Sequence, residues 1–193
     1  MIKKVIVYQT LEDRGNPEKI ERDGPFPCTR NNAWLGVGYY FWDTFKENAH
    51  WWGKECNNYD EGYVICKAEC DYDEEKCFDL VSNTDHLLML HNTFELMKSK
   101  GLANSNTTVS RVIEYLKTDL KIFNFSASRA SGVNSKSVSS NFSSHLIFDN
   151  KKGKLKYLDL KPAIQLCFYS KSSLNLRNYK IVFPDQYIDG FLI

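Results

Sequence analysis

Short strand-like segments, interrupted by one long helical stretch, restrict the folds open to this chain. Each segment is rich in β-branched or aromatic residues and is bounded by turn-forming residues. The segments are 3–9, 34–42, 62–68, 145–148, 155–160, 164–169 and 179–183. A chain that starts and ends in strands, with its helices between them, favours an α+β fold with two packed antiparallel sheets and helices at the side.

The helical stretch covers about 83–120 and is predicted to form two helices. Apolar residues recur there at the spacing of one helix face, first at Leu87, Leu90, Phe94 and Met97, then at Val109, Val112, Ile113 and Leu116. A serine-rich segment follows at about 126–144 and is predicted to be a mobile loop. With 193 residues, the chain suits a single domain over 1–193.

Composition excludes several classes of function. A net charge of +1 provides no overall field that would select nucleic acid or membrane as partner. The apolar run at 5–8 is too short for a signal peptide, and no stretch nears the roughly 20 apolar residues that span a bilayer, so we expect a cytoplasmic protein without membrane contact. None of the six cysteines forms a C-x-x-C pair, which predicts reduced thiols and no metal site.

Three separated segments carry residues suited to ligand binding. The first is the strand end at 7–10, the second is 35–42, and the third is 164–169. Gly36 and Gly38 would let the backbone approach a ligand closely. Adjacent tyrosines, Tyr39 and Tyr40, point to opposite faces of a strand, so one of them can stack on a planar ring.

A helix is expected directly after the second segment. Thr44 and Glu47 have the spacing of a capping box, which predicts a helix that begins at Thr44 and ends near Gly53. The free N–H groups at its start would face a phosphate.

In this order the three segments resemble the His-Tyr-Glu class of ADP-ribosyltransferases, of the diphtheria-toxin and poly-ADP-ribose-polymerase type. The resemblance rests most on Gly-x-Gly-Tyr-Tyr-Phe (36–41) with its helix, and it covers about half of the chain. It implies a split pair of antiparallel sheets with flanking helices, in which 83–120 is an insertion. It also implies NAD⁺ as the substrate and transfer of its ADP-ribose to another molecule.

The resemblance also implies the site residues. Tyr40 aligns with the tyrosine of the family, whereas Gln9 replaces its histidine and Gln165 replaces its glutamate. Gln9 keeps the ability to anchor a ribose hydroxyl, and Gln165 keeps a hydrogen bond but loses the negative charge. We therefore expect slow mono-transfer without polymer synthesis. The implied catalytic residues are Gln165, Tyr40 and Gln9, and the implied NAD⁺-binding residues are Gln9, Thr10, Gly38, Tyr39, Tyr40 and Arg129.

Several alternatives remain open in the sequence. Tyr40 is favoured over Tyr39 as the stacking ring, and Gln165 over Asp185 and Gln186 as the late motif. Arg129 would meet the pyrophosphate or the target, or else lie at the solvated surface. Six lysines make the serine-rich loop and the segment that leads to Gln165 basic, so the target is a nucleic acid or a protein. They are Lys136, Lys151, Lys152, Lys154, Lys156 and Lys161.

The expected activity is that of an NAD⁺-dependent mono-ADP-ribosyltransferase. Small size and family resemblance suggest a bacterial toxin or defence effector, with an antitoxin or inhibitor protein as a partner. Two alternatives are an inactive NAD⁺- or ADP-ribose-binding pseudoenzyme and an NAD⁺ glycohydrolase.

Overall fold

Nine strands build most of the structure, a computed structural model that describes residues 1–57, 59, 61–132, 135–148 and 156–188. The strands are β1 (Ile2–Glu12), β2 (Tyr39–Asp43), β3 (Tyr63–Asp73), β4 (Cys77–Asp79), β5 (Ala127–Ser131), β6 (His145–Ile147), β7 (Tyr157–Asp159), β8 (Ile164–Phe168) and β9 (Leu176–Phe183). Within the same ranges four helices accompany them: α1 (Pro17–Asp23), α2 (Lys46–Trp51), α3 (Thr84–Ser99) and α4 (Val109–Thr118). A π-helical segment, Trp52–Cys56, continues α2.

Seven strands of the described chain form one mixed sheet in the order β4-β5-β8-β2-β1-β3-β9. Strands β4 and β5 run parallel, and the other neighbours in this sheet are antiparallel. Strands β6 and β7 form a separate two-stranded sheet. The α+β class is thus confirmed, with one large sheet and one small hairpin where two packed sheets were expected.

The large sheet is divided in its middle. Strand β1 pairs with β3 along eleven residues, from Ile2 to Glu12. Its pairing with β2 on the other side is limited to two positions, Val7 with Asp43 and Tyr8 with Trp42. Beyond Tyr8 the two strands separate, and the gap between them opens a cleft.

Each face of the large sheet has its own core, as the alternation of side chains along a strand requires. One face buries a cluster that includes Val7, Phe41 and Phe168. The other face receives α4, whose Ile113 and Leu116 pack with strand residues. The two helices predicted in the stretch 83–120 are therefore present, and α4 covers the sheet near β8.

The serine-rich segment was wrongly predicted to be a mobile loop throughout. Its first part is β5, which lies inside the sheet between β4 and β8. Serine and alanine have low strand propensity, but Ser128 is fully buried and its Oγ lies 2.5 Å from the Tyr169 hydroxyl. Tertiary pairing decides the structure here, and local composition gives no signal for it.

The capping box predicted at Thr44 and Glu47 is not formed. Thr44 has a φ of +65°, outside the conformation of an N-cap, and its hydroxyl donates to Asp43. The helix begins two residues later, with Phe45 as its N-cap. Of the late strand predicted at 155–160, the structure describes 156–160, in which β7 takes three residues.

Candidate functional site

A cleft of about 450 Å³ lies where β1 and β2 separate. Its walls come from the end of β1, from β2, from residues 26–34 and from the π-helical segment. Clefts of roughly 300–1,000 Å³ are the usual size of small-molecule sites. The division of the sheet therefore produces a ligand-sized space beside the first two segments singled out in the sequence.

Four of the residues expected to bind NAD⁺ or to act on it line this cleft: Gln9, Thr10, Tyr40 and Gln165. They come from three strands, and Gln9 and Gln165 are far apart along the chain. The pairing of β1 with β2, and of β2 with β8, brings them together.

Gln165 has an unusual environment. It lies on β8 opposite Trp42 of β2 and Ala130 of β5, so its side chain is fixed in the interior of the sheet. The residue is 6% exposed, and its Oε1 is buried without a hydrogen-bond partner among the described residues. Leaving a buried acceptor unpaired costs about 1–3 kcal/mol. This oxygen therefore has an unmet acceptor site, and the residue that carries it lines the cleft.

The amide of Gln9, in contrast to that of Gln165, is fully hydrogen-bonded within the protein. Its Nε2 donates to the carbonyl oxygens of Phe26 at 2.8 Å and Tyr40 at 3.4 Å. Its Oε1 accepts from the Phe26 N–H at 3.1 Å and from the Tyr179 hydroxyl at 2.8 Å. A primary amide has two donors and two acceptor sites, and all four are in use. Gln9 thus links both sides of the divided sheet and keeps no free group to anchor a ribose.

Tyr40 lines the cleft, and its side chain also packs against the core on the face that α4 covers. The hydroxyl donates to the Gly36 carbonyl at 2.6 Å and accepts from the Leu35 N–H at 2.8 Å. Burial raises the pKa of Tyr40, so the phenol stays protonated. Thr10 is likewise occupied, because its hydroxyl donates to the Ala49 carbonyl at 3.0 Å. These two residues shape the cleft and offer it carbon surface.

Gly36 is required by the backbone conformation, and Gly38 by close packing. Gly36 has a φ of +90°, which other residues rarely adopt. A Cβ on Gly38 would lie 2.5 Å from Cys167 Sγ, so this glycine is needed for contact with β8. Gly38 and Tyr39 both lie outside the cleft walls, and Tyr39 packs on the core of the opposite face.

Arg129 lies neither in the wall of the cleft nor at the solvated surface, the two positions expected from the sequence. It is 8% exposed, so it is not a solvated surface residue, and it is not part of the cleft wall. Its Nε donates to Asp43 at 2.9 Å, and its Nη1 lies 3.4 Å from Asp79. A buried arginine needs such compensation. Arg129 therefore joins three strands of the sheet as a structural ion-paired residue.

The two late alternatives to Gln165 lie away from this cleft. Asp185 and Gln186 lie in a short 3-10 helix, are exposed, and do not line the cleft.

Two of the six lysines that make this region basic are engaged within the protein. Lys136 is buried, where its ammonium donates to Asn48 at 2.7 Å and to the Lys161 carbonyl, and burial lowers its pKa. The Lys161 ammonium pairs with Glu47 at 2.6 Å. Lys156 is exposed, and Lys151, Lys152 and Lys154 lie outside the described residues.

Three tryptophans that pack in the hydrophobic core also line the cleft: Trp34, Trp42 and Trp52. The Trp34 and Trp42 rings meet edge to face at 6.3 Å, and Trp52 lies 5.7 Å from Trp42. The sequence pattern gives no sign of this second role. Aromatic walls of this kind suit planar ligand groups.

Charged and polar groups also line the cleft. Arg30 donates to the Asn57 amide at 2.8 Å, a neutral partner that does not compensate its charge. Arg14 pairs with Glu12 at 2.6 Å. Within the described ranges, no three His, Cys, Asp or Glu side chains form a group able to hold a metal ion, and no helix is long and apolar enough to cross a membrane.

Comparison with known proteins gives one partial match. The chain is 33% identical over 94 residues to an uncharacterized protein of Methanocaldococcus jannaschii. The aligned residues cover 47% of this chain and 44% of that protein. The chain thus matches less than half the length of this relative. No known protein family matches, and neither does any solved structure. An activity for this chain is therefore inferred from the chemistry of the cleft.

Proposed function

We propose that the chain has an ADP-ribosyltransferase-like fold, binds NAD⁺ in the cleft between β1 and β2, and transfers its ADP-ribose to one site on an acceptor. The observation that carries the proposal is the unpaired, buried Oε1 of Gln165 in the wall of a cleft that also contains Tyr40. A ribose hydroxyl is the kind of donor that this oxygen lacks.

The rest of the cleft suits the other parts of a dinucleotide. The Tyr40 ring and the three tryptophans offer flat surfaces to the nicotinamide and adenine rings. Arg30 replaces Arg129 as the cation for the pyrophosphate, because its charge is not compensated at its Asn57 contact. Gln9 positions the backbone of Phe26 and of Tyr40, and it acts through them.

The proposed reaction needs positioning more than a strong base. Breaking the nicotinamide–ribose bond passes through an oxocarbenium-like state, as in glycoside chemistry. A carboxylate would stabilise this positive charge, and Gln165 provides only a dipole. The proposal therefore includes slow turnover and a single transfer.

Replacing Gln165 by glutamate tests this directly. Hydrogen bonds to charged groups exceed neutral ones by about 1–1.5 kcal/mol, so Gln165→Glu should speed nicotinamide release about tenfold. Burial raises the pKa of a carboxyl group, so the gain should be larger at pH 8 than at pH 6. Release is measured with NAD⁺ labelled in the nicotinamide, and binding by tryptophan fluorescence.

Gln165→Ala is the matched control and should lose both affinity and turnover. If neither NAD⁺ nor ADP-ribose binds to the wild type or to either variant, the proposal is wrong. Label on the adenylate separates the products, since free ADP-ribose alone would indicate a glycohydrolase.

A second candidate, NAD⁺ binding without turnover, is favoured by the saturated amide of Gln9 and the neutral side chain of Gln165. It predicts that the wild type binds NAD⁺ and releases no nicotinamide, and that Gln165→Glu also releases none.

A further inference from the structure

Lys136, in the serine-rich segment, is a buried cation whose partners are neutral. The residue is 9% exposed, and its ammonium donates to Asn48 Oδ1 at 2.7 Å and to the Lys161 carbonyl. Taking an ammonium out of water is costly, and two neutral oxygens do not compensate its charge. A methionine would fill the same space without that cost, so stability alone does not account for a lysine here.

The contacts of Lys136 fix the turn that leads into β8. Asn48 is fully buried on α2, and its Nδ2 donates to the Pro162 carbonyl at 2.9 Å. The ammonium thus holds the Lys161 carbonyl directly and the Pro162 carbonyl through Asn48. The N–H of Ile164, where β8 begins, also donates to the Pro162 carbonyl, at 2.8 Å. Two successive carbonyl groups at the entrance to β8 are therefore held from outside the sheet.

Gln165 lies at the end of β8 that this turn enters. Among the described pairs, that of Gln165 with Trp42 is the last between β8 and β2. On the other side of β8, one further pair joins Ile164 to Ser131 of β5. The place of the Gln165 backbone therefore depends on the turn 161–163 as well as on the sheet. Since its Oε1 has no hydrogen bond with the described residues, the place of its amide depends on the backbone in turn.

We propose that Lys136 is a positioning residue of the cleft, which holds the start of β8 so that the Gln165 amide keeps one place in the cleft wall. This rests on the proposed function, in which Gln165 accepts from a ribose hydroxyl of NAD⁺. Neither Lys136 nor Asn48 lines the cleft, so both act through Gln165. Reactions that depend on positioning respond to distant changes, since a displacement of about 1 Å can cost on the order of 100-fold in rate.

The first measurement needs no ligand. It records the side-chain amide signal of Gln165 by NMR, assigned with Gln165→Leu. Lys136→Met keeps the length of the side chain and removes both hydrogen bonds, so it should shift and broaden this signal. Lys46→Met is the matched control, because Lys46 on α2 also donates to a backbone carbonyl, that of Val182 at 2.9 Å, away from the turn. It should leave the Gln165 signal unchanged.

The second measurement is a double-mutant cycle between Lys136 and Gln165. NAD⁺ affinity is followed by tryptophan fluorescence, and turnover by nicotinamide release. Lys136→Met should lower both by about fivefold, less than Gln165→Ala does, because the acceptor is still present but displaced. In the Gln165→Ala background it should cause no further loss, since no amide is left to position.

Asn48→Asp serves if Lys136→Met does not fold. The aspartate keeps the contact with the Lys136 ammonium, but an acceptor now faces the Pro162 carbonyl, so the turn and the Gln165 signal should shift. An unchanged Gln165 signal in the folded variant would overturn the proposal. Equal losses with and without Gln165 would also overturn it, since Lys136 would then only stabilise the fold. If the wild type binds no NAD⁺, the proposed function fails, and the NMR signal alone decides whether Lys136 positions Gln165.

Discussion

Gln9 and Gln165 are glutamines on two strands that wall the same cleft, and both are almost fully buried, at 4% and 6% exposure. The amide of Gln9 makes four hydrogen bonds within the protein. The Oε1 of Gln165 makes none with the described residues. Burial alone therefore does not show whether a polar side chain has a hydrogen-bond partner inside the protein.

The cause of the difference lies in the sheet. Gln9 is the first residue of β1 beyond its last pair with β2, so its amide bonds to the backbone of Phe26 in place of the missing strand partner. Gln165 is on β8, which is paired with β2 on one side and β5 on the other. No described group donates to its Oε1 there, although the residue lines the cleft.

The largest effect expected from this comparison is loss of stability in Gln9→Ala. The substitution leaves buried donors and acceptors of Phe26, Tyr40 and Tyr179 without partners, which should lower the free energy of unfolding by about 3 kcal/mol. Urea unfolding followed by tryptophan fluorescence measures it.

Gln165→Ala is the control at the other glutamine and should cost about 1 kcal/mol or less, because its Oε1 has no internal hydrogen bond to lose. Equal losses of stability in the two variants would remove the distinction between the two glutamines.

The sequence predicted the parts of this region that depend on short-range patterns. Apolar spacing located α3 and α4, and β-branched residues located β1. The order of the three segments also indicated that Gln9, Tyr40 and Gln165 would meet, which they do in the cleft wall. Strand alternation placed Tyr39 and Tyr40 on opposite faces.

What the sequence could not predict depends on contacts between distant residues. The ion pairs of Arg129 with Asp43 and Asp79 join positions 86 and 50 apart, and nothing near Arg129 in the chain signals them. The saturation of Gln9 depends on Tyr179, 170 positions away. Roles carried over from a resemblance assume a free side chain, and only three-dimensional contacts show whether it is free.

A smaller effect of opposite sign is expected at Gln165. Gln165→Leu removes the unpaired buried oxygen and keeps most of the volume, so the unliganded protein should become about 1 kcal/mol more stable. The same variant should lose NAD⁺ affinity, because the acceptor for the ribose hydroxyl is gone. Thermal unfolding with and without NAD⁺ measures both.

A loss of stability in Gln165→Leu would mean that the Gln165 amide has a hydrogen-bond partner inside the protein, as the Gln9 amide does. Gln9→Leu provides the matched control and should lose stability, because the same change there removes four hydrogen bonds.

The smallest expected effect is a loss of stability at low pH, and it concerns Arg129 and its partner Asp79. Arg129 is buried like the two glutamines, but its partners are charged. The pKa of Asp79 is lowered overall. Burial alone would raise this pKa, but hydrogen bonds from Ser82 and the Val81 N–H, together with the charge of Arg129, outweigh it. A lowered pKa in the folded state gives stability above the unfolded value of about 4 that is lost as the pH falls below it. We expect a loss of about 1 kcal/mol or less between pH 5 and pH 3, since Asp79 is partly exposed and screened.

Asp79→Asn isolates this contribution from those of the other carboxyl groups. The variant should be less stable than the wild type at pH 6, and the difference should shrink as the pH approaches 3. Gln165→Leu should follow the pH dependence of the wild type, since a neutral amide adds no protonation. If the difference in free energy of unfolding between wild type and Asp79→Asn stays constant with pH, the charge of Arg129 is balanced by Asp43 alone.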